Sequence, residues 1–382
     1  MKIAIDIRIW NNKPSGVGFY LRNLLAGLQV ADSQNEYILI ATRGSDLGGL
    51  VFPKNTTIFW SAFSPEQHPV ADVWGHYFLP GKLSRLAADL FHGPAFFAPF
   101  GKSNFPGIVT IHDLAAFRFP ETLPRKFAAY LRWLVRRVVR KVDHVIAVSE
   151  NTKNDLVQLL KTPPEKITVI YEAVDPVFQP PKDVTGLADK ITQKFQIQKK
   201  YLLYVGTVEP RKNLINLFKA FQQIAGKLGD EYQLVVCGQK GWLANPIYDF
   251  VRDERMDEQI KFLGYVSSAD LPLLYQGAAA LVYPSLYEGF GLPPLEAMTC
   301  GIPVIGSQNS AISEVVSDAG LLVSATDAGQ LAAAMLEIVQ NEALRRQLSQ
   351  RSLARAQQFS WQRAARETLA LYSKVLQEKI HS

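Results

Sequence analysis

Cysteine is scarce in this sequence. There are two in 382 residues, Cys237 and Cys300, far apart and set among apolar neighbours. That excludes a disulfide framework and fits a reducing compartment, with both thiols buried and structural. Long apolar runs are missing as well: nowhere do the roughly 18 uncharged apolar residues of a membrane span follow one another. The opening stretch, M-K-I-A-I-D-I-R-I-W, is interrupted by Asp6 and Arg8, which argues against a signal peptide and for a first β-strand. A cytoplasmic protein is expected. Charge is neither abundant nor lopsided, at 20% of residues and a formal net charge of +6, so nucleic acid is not an expected partner. No low-complexity tract or fixed-period repeat is present. With 48% hydrophobic residues the chain reads as globular, and its length suits two domains rather than one.

What is present is an alternation of short apolar strands with helical patterns. Residues 2–9 alternate as a strand, and N-N-K-P-S-G-V-G-F-Y then leads into a helix from about Phe19 to Val30. Further strands fall at Tyr37–Ala41, Leu90–His92, Ile108–Ile111 and His144–Val148. This is an α/β pattern, and it predicts a parallel sheet covered on both faces, with binding residues at the C-terminal ends of its strands. The glycine turn lacks the dinucleotide fingerprint. After Gly16 and Gly18 the third glycine position is Leu21, which makes an NAD oxidoreductase remote. A plain tight turn is the other reading of these glycines. His92 and the pair His112-Asp113 fall at strand ends, and His112 is the candidate site residue of the two. Ser149 reads as a helix N-cap. The Pro-rich segment Asp175 to Pro181 is the expected linker, dividing a first domain, 1–178, from a second, 179–361.

The second half carries two denser signals. In Y-L-L-Y-V-G-T-V-E-P-R-K-N-L a strand reaches Gly206 and a helix starts near Asn213. Arg211 and Lys212 therefore stand beside a helix N-terminus, where a diphosphate gains N–H groups and fixed cations together. Cations there oppose the helix dipole, so without an anion they are badly placed; a solvated pair is the alternative. Gln233–Cys237 and Lys261–Leu263 read as strands, and Asp270 fits a helix start. A strand at Ala278–Tyr283 then enters Y-P-S-L-Y-E-G-F-G-L-P-P-L-E-A-M-T-C-G-I-P. Gly289 and Gly291 let the backbone approach a ligand. Pro293 and Pro294 suit a first helical turn, and Gly301 and Pro303 end the helix early. The N–H groups of Phe290, Gly291 and Leu292 thus make an anion site. Glu288 and Glu296 flank it eight residues apart, Glu296 in the first turn. Phosphate and carboxylate sites together indicate a ligand bearing both phosphates and hydroxyls. Taken alone, Glu296 is also what a helix dipole favours in a first turn.

The form E-G-F-G-L-P-P-L-E-A-M resembles the E-x7-E signature of retaining, nucleotide-sugar-dependent glycosyltransferases of family 4, with a mannosyltransferase-like cast. The glycine turn, T-I-H-D-L, E-P-R-K-N and the terminal helix follow the same family order over essentially the whole chain. The resemblance implies two Rossmann-like domains facing a central cleft, the GT-B architecture, with the last helix, 362–382, packing back on the first domain. It implies that Arg211 and Lys212 hold the donor diphosphate, that Glu288 touches the donor sugar and Glu296 the ribose, and that His112 lies beside sugar and acceptor. Gly16, Gly18, Gly206, Val266, Phe290, Gly291 and Leu292 are donor-side residues on the same basis, Val266 near the nucleobase, with Asn309, Ser310 and Glu314 as further candidates. The implied reaction moves a hexose, GDP-mannose being the first choice of donor, to a saccharide or lipid-linked saccharide with retention and no cofactor. No two Asp residues are separated by one position, so the D-x-D metal signature is missing. That leaves charge stabilisation by fixed donors, without a metal. A sugar-nucleotide epimerase of the same fold and a non-catalytic nucleotide-sugar-binding protein are the alternatives. Glu172-Ala173-Val174-Asp175 departs from the family's usual N-G-hydrophobic-D and leaves the hinge geometry open.

One more stretch stands out. In 124–143, Phe127, Tyr130, Leu131, Leu134, Val135, Val138 and Val142 recur at helical spacing, and Arg132, Arg136, Arg137, Arg140 and Lys141 take much of the remainder. Asp143 is the only acid. Such a helix either packs its apolar face on a core or meets an anionic membrane surface, which would place the protein peripherally on the inner face of a membrane.

Overall fold

The computed structural model describes residues 1–10, 16–63, 70–183 and 185–381. The N-N-K-P-S half of the glycine turn, 11–15, lies outside the described residues. The chain forms two compact units. One comprises Met1–Phe117, Ala128–Ala173 and Ser360–Ser382, the other Arg118–Phe127 and Val174–Phe359.

The first unit is built on a parallel sheet of β1 (Lys2–Asp6), β2 (Glu36–Thr42), β3 (Thr56–Ser61), β4 (Leu90–Gly93), β5 (Gly107–Ile111), β6 (His144–Ala147) and β7 (Ile167–Val169). Its order is β3-β2-β1-β4-β5-β6-β7. The central strands are apolar along their length because both faces are covered, whereas β3, at the edge and paired with β2, is half-buried or exposed up to its last residue. That mixed character hid β3 from the sequence reading. The winding reverses between β1 and β4, and in such sheets ligands collect at the strand ends beside the reversal. The flanking helices include α1 (Gly16–Ala31), α2 (Arg125–Lys141) and α3 (Glu150–Leu160). Ser149 caps α3 by accepting from the Thr152 N–H. Two boundaries differ from expectation. β1 stops at Asp6 because Arg8 folds back on it, Nε to Oδ1 at 2.9 Å and Nη2 to Oδ2 at 2.6 Å. α1 starts three residues before Phe19, so Gly16 and Gly18 occupy its first turn rather than a loop.

The C-terminal helix, Trp361–His381, lies against α1. A Cβ on Gly27 would stand 2.9 Å from the Trp361 carbonyl oxygen, so a residue without a side chain is what lets the helices approach. Trp361, Ala365, Leu371, Tyr372 and Val375 are buried there, and the Tyr372 hydroxyl meets His92 Nδ1 at 2.6 Å.

The second unit repeats the plan. Its parallel strands are β8 (Lys200–Val205), β9 (Tyr232–Cys237), β10 (Ile260–Gly264), β11 (Ala280–Tyr283), β12 (Val304–Ser307) and β13 (Leu321–Val323), ordered β10-β9-β8-β11-β12-β13. The reversal falls between β8 and β11. β8 feeds α4 (Leu214–Leu228) and β11 feeds α5 (Leu292–Thr299). Each unit is thus Rossmann-like, the class that the strand–helix alternation implies.

Candidate active site

The reversal between β8 and β11 brings the two dense motifs of the second unit together. After β8 the chain turns at Gly206, whose φ of +150° only glycine adopts easily. It then runs through a 3-10 turn, Pro210–Lys212, to Asn213, held in the left-handed region by side-chain bonds to the carbonyls of Pro284 (3.1 Å) and Ala325 (2.6 Å). Arg211 Nη1 donates to Glu288 Oε2 (2.9 Å) and to the Tyr287 carbonyl (2.7 Å), and Nη2 donates to Glu209 Oε1 (2.8 Å). Lys212 Nζ donates to Glu288 Oε1 (2.6 Å) and to the Tyr283 hydroxyl (2.9 Å), which in turn donates to Glu288 Oε1 (3.1 Å).

Burial pushes the Glu288 carboxyl up, but the charges of Arg211 and Lys212 outweigh it and hold Glu288 at about 2. Glu288 is therefore a carboxylate throughout the physiological range. Burial, the larger effect at Lys212, brings its ammonium below the ordinary value against the pull of Glu288. This arrangement amends the sequence argument. The two cations at the start of α4 already have anionic partners, Glu288 and Glu209, so their placement does not by itself require an outside anion.

Glu209 and Tyr283 went unnoticed in the sequence. Glu209 opens E-P-R-K-N. It is buried, its Oε2 has no partner among the described residues, and burial raises its pKa despite Arg211 and Lys212. Tyr283 ends β11, with the Lys212 ammonium 5.4 Å from its ring centroid. The alternation pattern reads such a tyrosine as core.

The loop after β11 is tied to this cluster and to the segment beyond β12. The Leu286 N–H donates to the Arg211 carbonyl at 2.9 Å, and Asn309 Nδ2 donates to the Leu286 carbonyl at 2.5 Å. The Ala311 N–H reaches the Glu288 carbonyl at 3.4 Å. Asn309 thereby acts on the Glu288 loop. Ser310 adopts a φ of 62° just before the helix that carries Glu314. Gly291, with φ +117°, caps α5, and Leu292, Pro293 and Pro294 open it. Phe290 packs its ring against Phe359.

Glu296 is the fifth residue of α5 rather than part of its first turn, which contains no acid. The dipole explanation for it therefore falls away. Its Oε2 accepts from the Tyr275 hydroxyl at 2.6 Å. Burial, opposed by Tyr275 and aided by Asp175, raises Glu296 to about 7. Cys237 and Cys300, both buried, are held at about 12 by burial and by the charge of Glu296, and the backbone of Val266 approaches Cys237. Val266, just past β10, and Glu296 thus share one neighbourhood at the C-terminal edge of the sheet. The thiols are structural.

In the first unit, His112 follows β5. Its Nδ1 lies 2.8 Å from Glu172 Oε1 and its Nε2 lies 2.8 Å from the Pro94 carbonyl oxygen. A carbonyl can only accept, so Nε2 carries a proton, and Nδ1 faces a carboxylate. Burial works against the imidazolium, but Glu172, Pro94 and Asp113 outweigh it and raise the pKa. Both ring nitrogens of His112 are engaged, which fixes the orientation of the ring. Glu172, the residue that departs from the family pattern, is what holds it. His92 is fully buried between Tyr372 and Thr110 and is pushed down to about 3 by burial and by His112, so it serves packing. Gly16 and Gly18, in the first turn of α1, belong to the same C-terminal edge of that sheet.

Among the described residues no group of three or more His, Cys, Asp or Glu side chains could hold a metal ion, and no helix is long and apolar enough to cross a membrane.

Two Rossmann-like units in one chain, the second with a charged cluster at its reversal, match the GT-B architecture that the E-x7-E resemblance implies. Residues 14–178 match the family described as Glycosyltransferase Family 4, and residues 188–355 match Glycosyl transferases group 1. The chain is 34% identical over 306 residues to O-antigen chain mannosyltransferase B of Escherichia coli, spanning 80% of this chain and 77% of that protein. The fold is shared with sucrose-phosphate synthase from Thermosynechococcus elongatus, at a TM-score of 0.79 and 21% identity over 99% of each chain. It is shared as well with Anabaena Alr3699/HepE, solved with UDP and glucose, at a TM-score of 0.75 and 18% identity over 98% of this chain and 99% of that one. The chain belongs to these family 4 glycosyltransferases, which use a nucleotide sugar to glycosylate an acceptor.

Proposed function

We propose that this protein moves mannose from GDP-mannose to a saccharide or lipid-linked saccharide acceptor, with retention of configuration and without a metal. The observation that carries the reading is the Arg211–Lys212–Glu288 cluster at the reversal between β8 and β11, beside the N-terminus of α5. The cations and the N–H groups of that helix suit the charge that builds on a departing diphosphate. Glu288, held ionised, accepts from donor-sugar hydroxyls and stabilises positive charge at the anomeric carbon. Both of its oxygens are engaged by Arg211, Lys212 and Tyr283, which disfavours it as a nucleophile. The acceptor oxygen then bonds to the anomeric carbon on the face from which the diphosphate leaves, and the departing phosphate oxygen takes the acceptor's proton. Glu296 holds the ribose, Val266 the base, and His112 the sugar, roles the family pattern gives them. The likeness to O-antigen chain mannosyltransferase B supports mannose and a growing polysaccharide acceptor. The UDP in Alr3699/HepE keeps UDP-sugars as the competing donors.

The acceptor reading extends to α2. Its apolar face, Leu134, Val135, Val138 and Val139, is buried in the core of its own unit. A membrane would therefore be met by the basic face together with the exposed Phe127 and Trp133, consistent with a peripheral protein on the cytoplasmic side. The test of the central reading is incubation of the purified protein with GDP-mannose or UDP-glucose and a mannose-terminated acceptor in excess EDTA. NMR of the product reads the anomeric configuration. An α-linked mannoside is expected from GDP-mannose alone. An inverted product, or activity only after Mg²⁺ or Mn²⁺ is restored, overturns it.

A further inference from the structure

Glu209 is the one acid of the cluster that the proposed reaction leaves without a task. It stands where the extended stretch after β8 enters the 3-10 turn, with φ −151° and ψ 160°, and its carbonyl accepts the Lys212 N–H at 3.1 Å. Pro210, the next residue, fixes the first φ of that turn. The loop after β9 lies against the same stretch. The Val208 N–H donates to the Gln239 carbonyl at 2.9 Å, and the Gly241 N–H donates to the Val208 carbonyl at 3.0 Å. A Cβ on Gly241 would stand 3.4 Å from that of Glu209 and 2.6 Å from Thr207 Cγ2, so a glycine is what lets the loop come this close. These contacts fix the backbone on either side of Glu209, and the residue is 1% exposed.

From that position the carboxyl group does little else than meet Arg211. Oε1 accepts from Arg211 Nη2 at 2.8 Å, and Oε2 has no partner among the described residues. A buried carboxyl that braced the fold would use both oxygens, since an unmade bond on a buried polar atom is costly. Nor does Glu209 help to attract a donor, because a carboxylate beside a phosphate site repels the phosphate. Two further contacts of the Arg211 guanidinium, to Glu288 Oε2 at 2.9 Å and to the Tyr287 carbonyl at 2.7 Å, come from the loop after β11. Glu288 is the group proposed to accept from donor-sugar hydroxyls, so the hold of that loop on Arg211 is contested once a sugar is present. The bond from Glu209 comes from the turn that carries Arg211 itself and does not depend on the loop.

We infer that Glu209 is a positioning residue, which keeps the Arg211 guanidinium in one orientation towards the departing diphosphate while Glu288 is engaged with the donor sugar. The inference rests on the reading of Arg211 as a leaving-group stabiliser, and adds the group that holds it ready. A donor fixed before the reaction stabilises developing charge without the cost of reorienting.

Steady-state kinetics and calorimetric titration of four variants test it: Glu209→Ala, Glu209→Gln, Arg211→Ala and Arg211→Ala/Glu209→Ala. The donor is whichever of GDP-mannose and UDP-glucose is turned over, with the matching nucleoside diphosphate in the titration, so the comparison does not depend on which sugar is transferred. Glu209→Ala is expected to lower kcat by at least about tenfold, part of the effect of losing a transition-state donor outright. It should bind the nucleoside diphosphate as tightly as the natural protein or more tightly, because a repelling group has gone. Glu209→Gln keeps an oxygen for Nη2 and should turn over faster than Glu209→Ala. Should Glu209→Ala fail to fold, Glu209→Asp carries the same comparison, since it withdraws the carboxyl from Nη2 by one methylene. In the Arg211→Ala background Glu209→Ala should change nothing further, because its effect passes through Arg211. Losses that multiply in the double variant overturn the positioning role. So does nucleotide affinity that falls in step with kcat, the mark of a merely structural residue, and so does normal turnover of Glu209→Ala beside an impaired Arg211→Ala. Normal turnover of Arg211→Ala would instead count against the leaving-group reading, and the role of Glu209 would fall with it.

Discussion

Glu288 sits between Arg211 and Lys212 with both oxygens engaged, and removing its charge does two things at once. It frees the two cations and withdraws the negative group nearest the proposed anomeric carbon. Glu288→Gln and Arg211→Ala are each expected to lower kcat by at least about 100-fold, the scale of losing one transition-state donor. Arg211→Ala should also weaken GDP binding, since it removes one of the two cations proposed to hold the diphosphate. Steady-state kinetics on folded variants reads both. Normal turnover in either removes that residue from the mechanism. Glu296 offers a separate handle, because its folded pKa is raised to about 7. A carboxyl raised in this way stabilises the fold at pH values below its unfolded pKa, about 4.3. That contribution is lost as pH climbs towards 7. Glu296→Gln should therefore melt higher than the natural protein at pH 8, by an amount on the order of 1 kcal/mol. If Glu296 accepts from ribose hydroxyls, GDP binding favours its ionised form. Affinity should rise between pH 6 and 8 in the natural protein and stay flat in the variant. Calorimetric titration across that range measures it, and a flat profile in both excludes the ribose role.

Elements show where residue-level patterns were sufficient and where they were not. The start of α5 was legible because two prolines and a glycine leave few other conformations for that stretch. The register of Glu296 within it was not, since a helix boundary one or two residues away changes which turn an acid occupies. The amphipathic pattern of α2 was legible. Which surface its apolar face meets was not, because periodicity states that a face is apolar and says nothing of what covers it. The C-terminal helix rests on α1 through Gly27, and nothing in the local sequence marks that glycine as a helix–helix contact. Gly27→Ala places a methyl 2.9 Å from a backbone oxygen, where no side-chain rotation relieves it. A loss of about 1–3 kcal/mol is expected, the usual cost of overpacking, read as a lower melting temperature. An unchanged melting temperature would mean that the helix shifts freely.

At the scale of the whole molecule, each unit has its own parallel sheet and core. The proposed nucleotide ligands lie in the second. Calorimetric melting in GDP at about 100 times its dissociation constant should stabilise that unit by roughly 2.7 kcal/mol. The transition belonging to the second unit should move more than that of the first. A shift confined to the first unit would relocate the nucleotide site.

The sequence by itself determined the α/β class, the doubled Rossmann-like plan and the family. Those rest on period, on turn residues and on motifs that are contiguous along the chain. It also placed Arg211 and Lys212 at a strand end, Glu288 in the loop after the next strand, and Glu296 in the helix that follows. Only the tertiary structure decided what charge those groups carry. Glu288 is held ionised by cations 76 and 77 residues before it, Glu296 is raised by burial, and the pKa of His112 is raised, against burial, by Glu172, 60 residues away. The physical reason is that a pKa is set by what lies within a few ångströms of the group. In a parallel sheet those neighbours arrive from strands adjacent in space and distant in sequence.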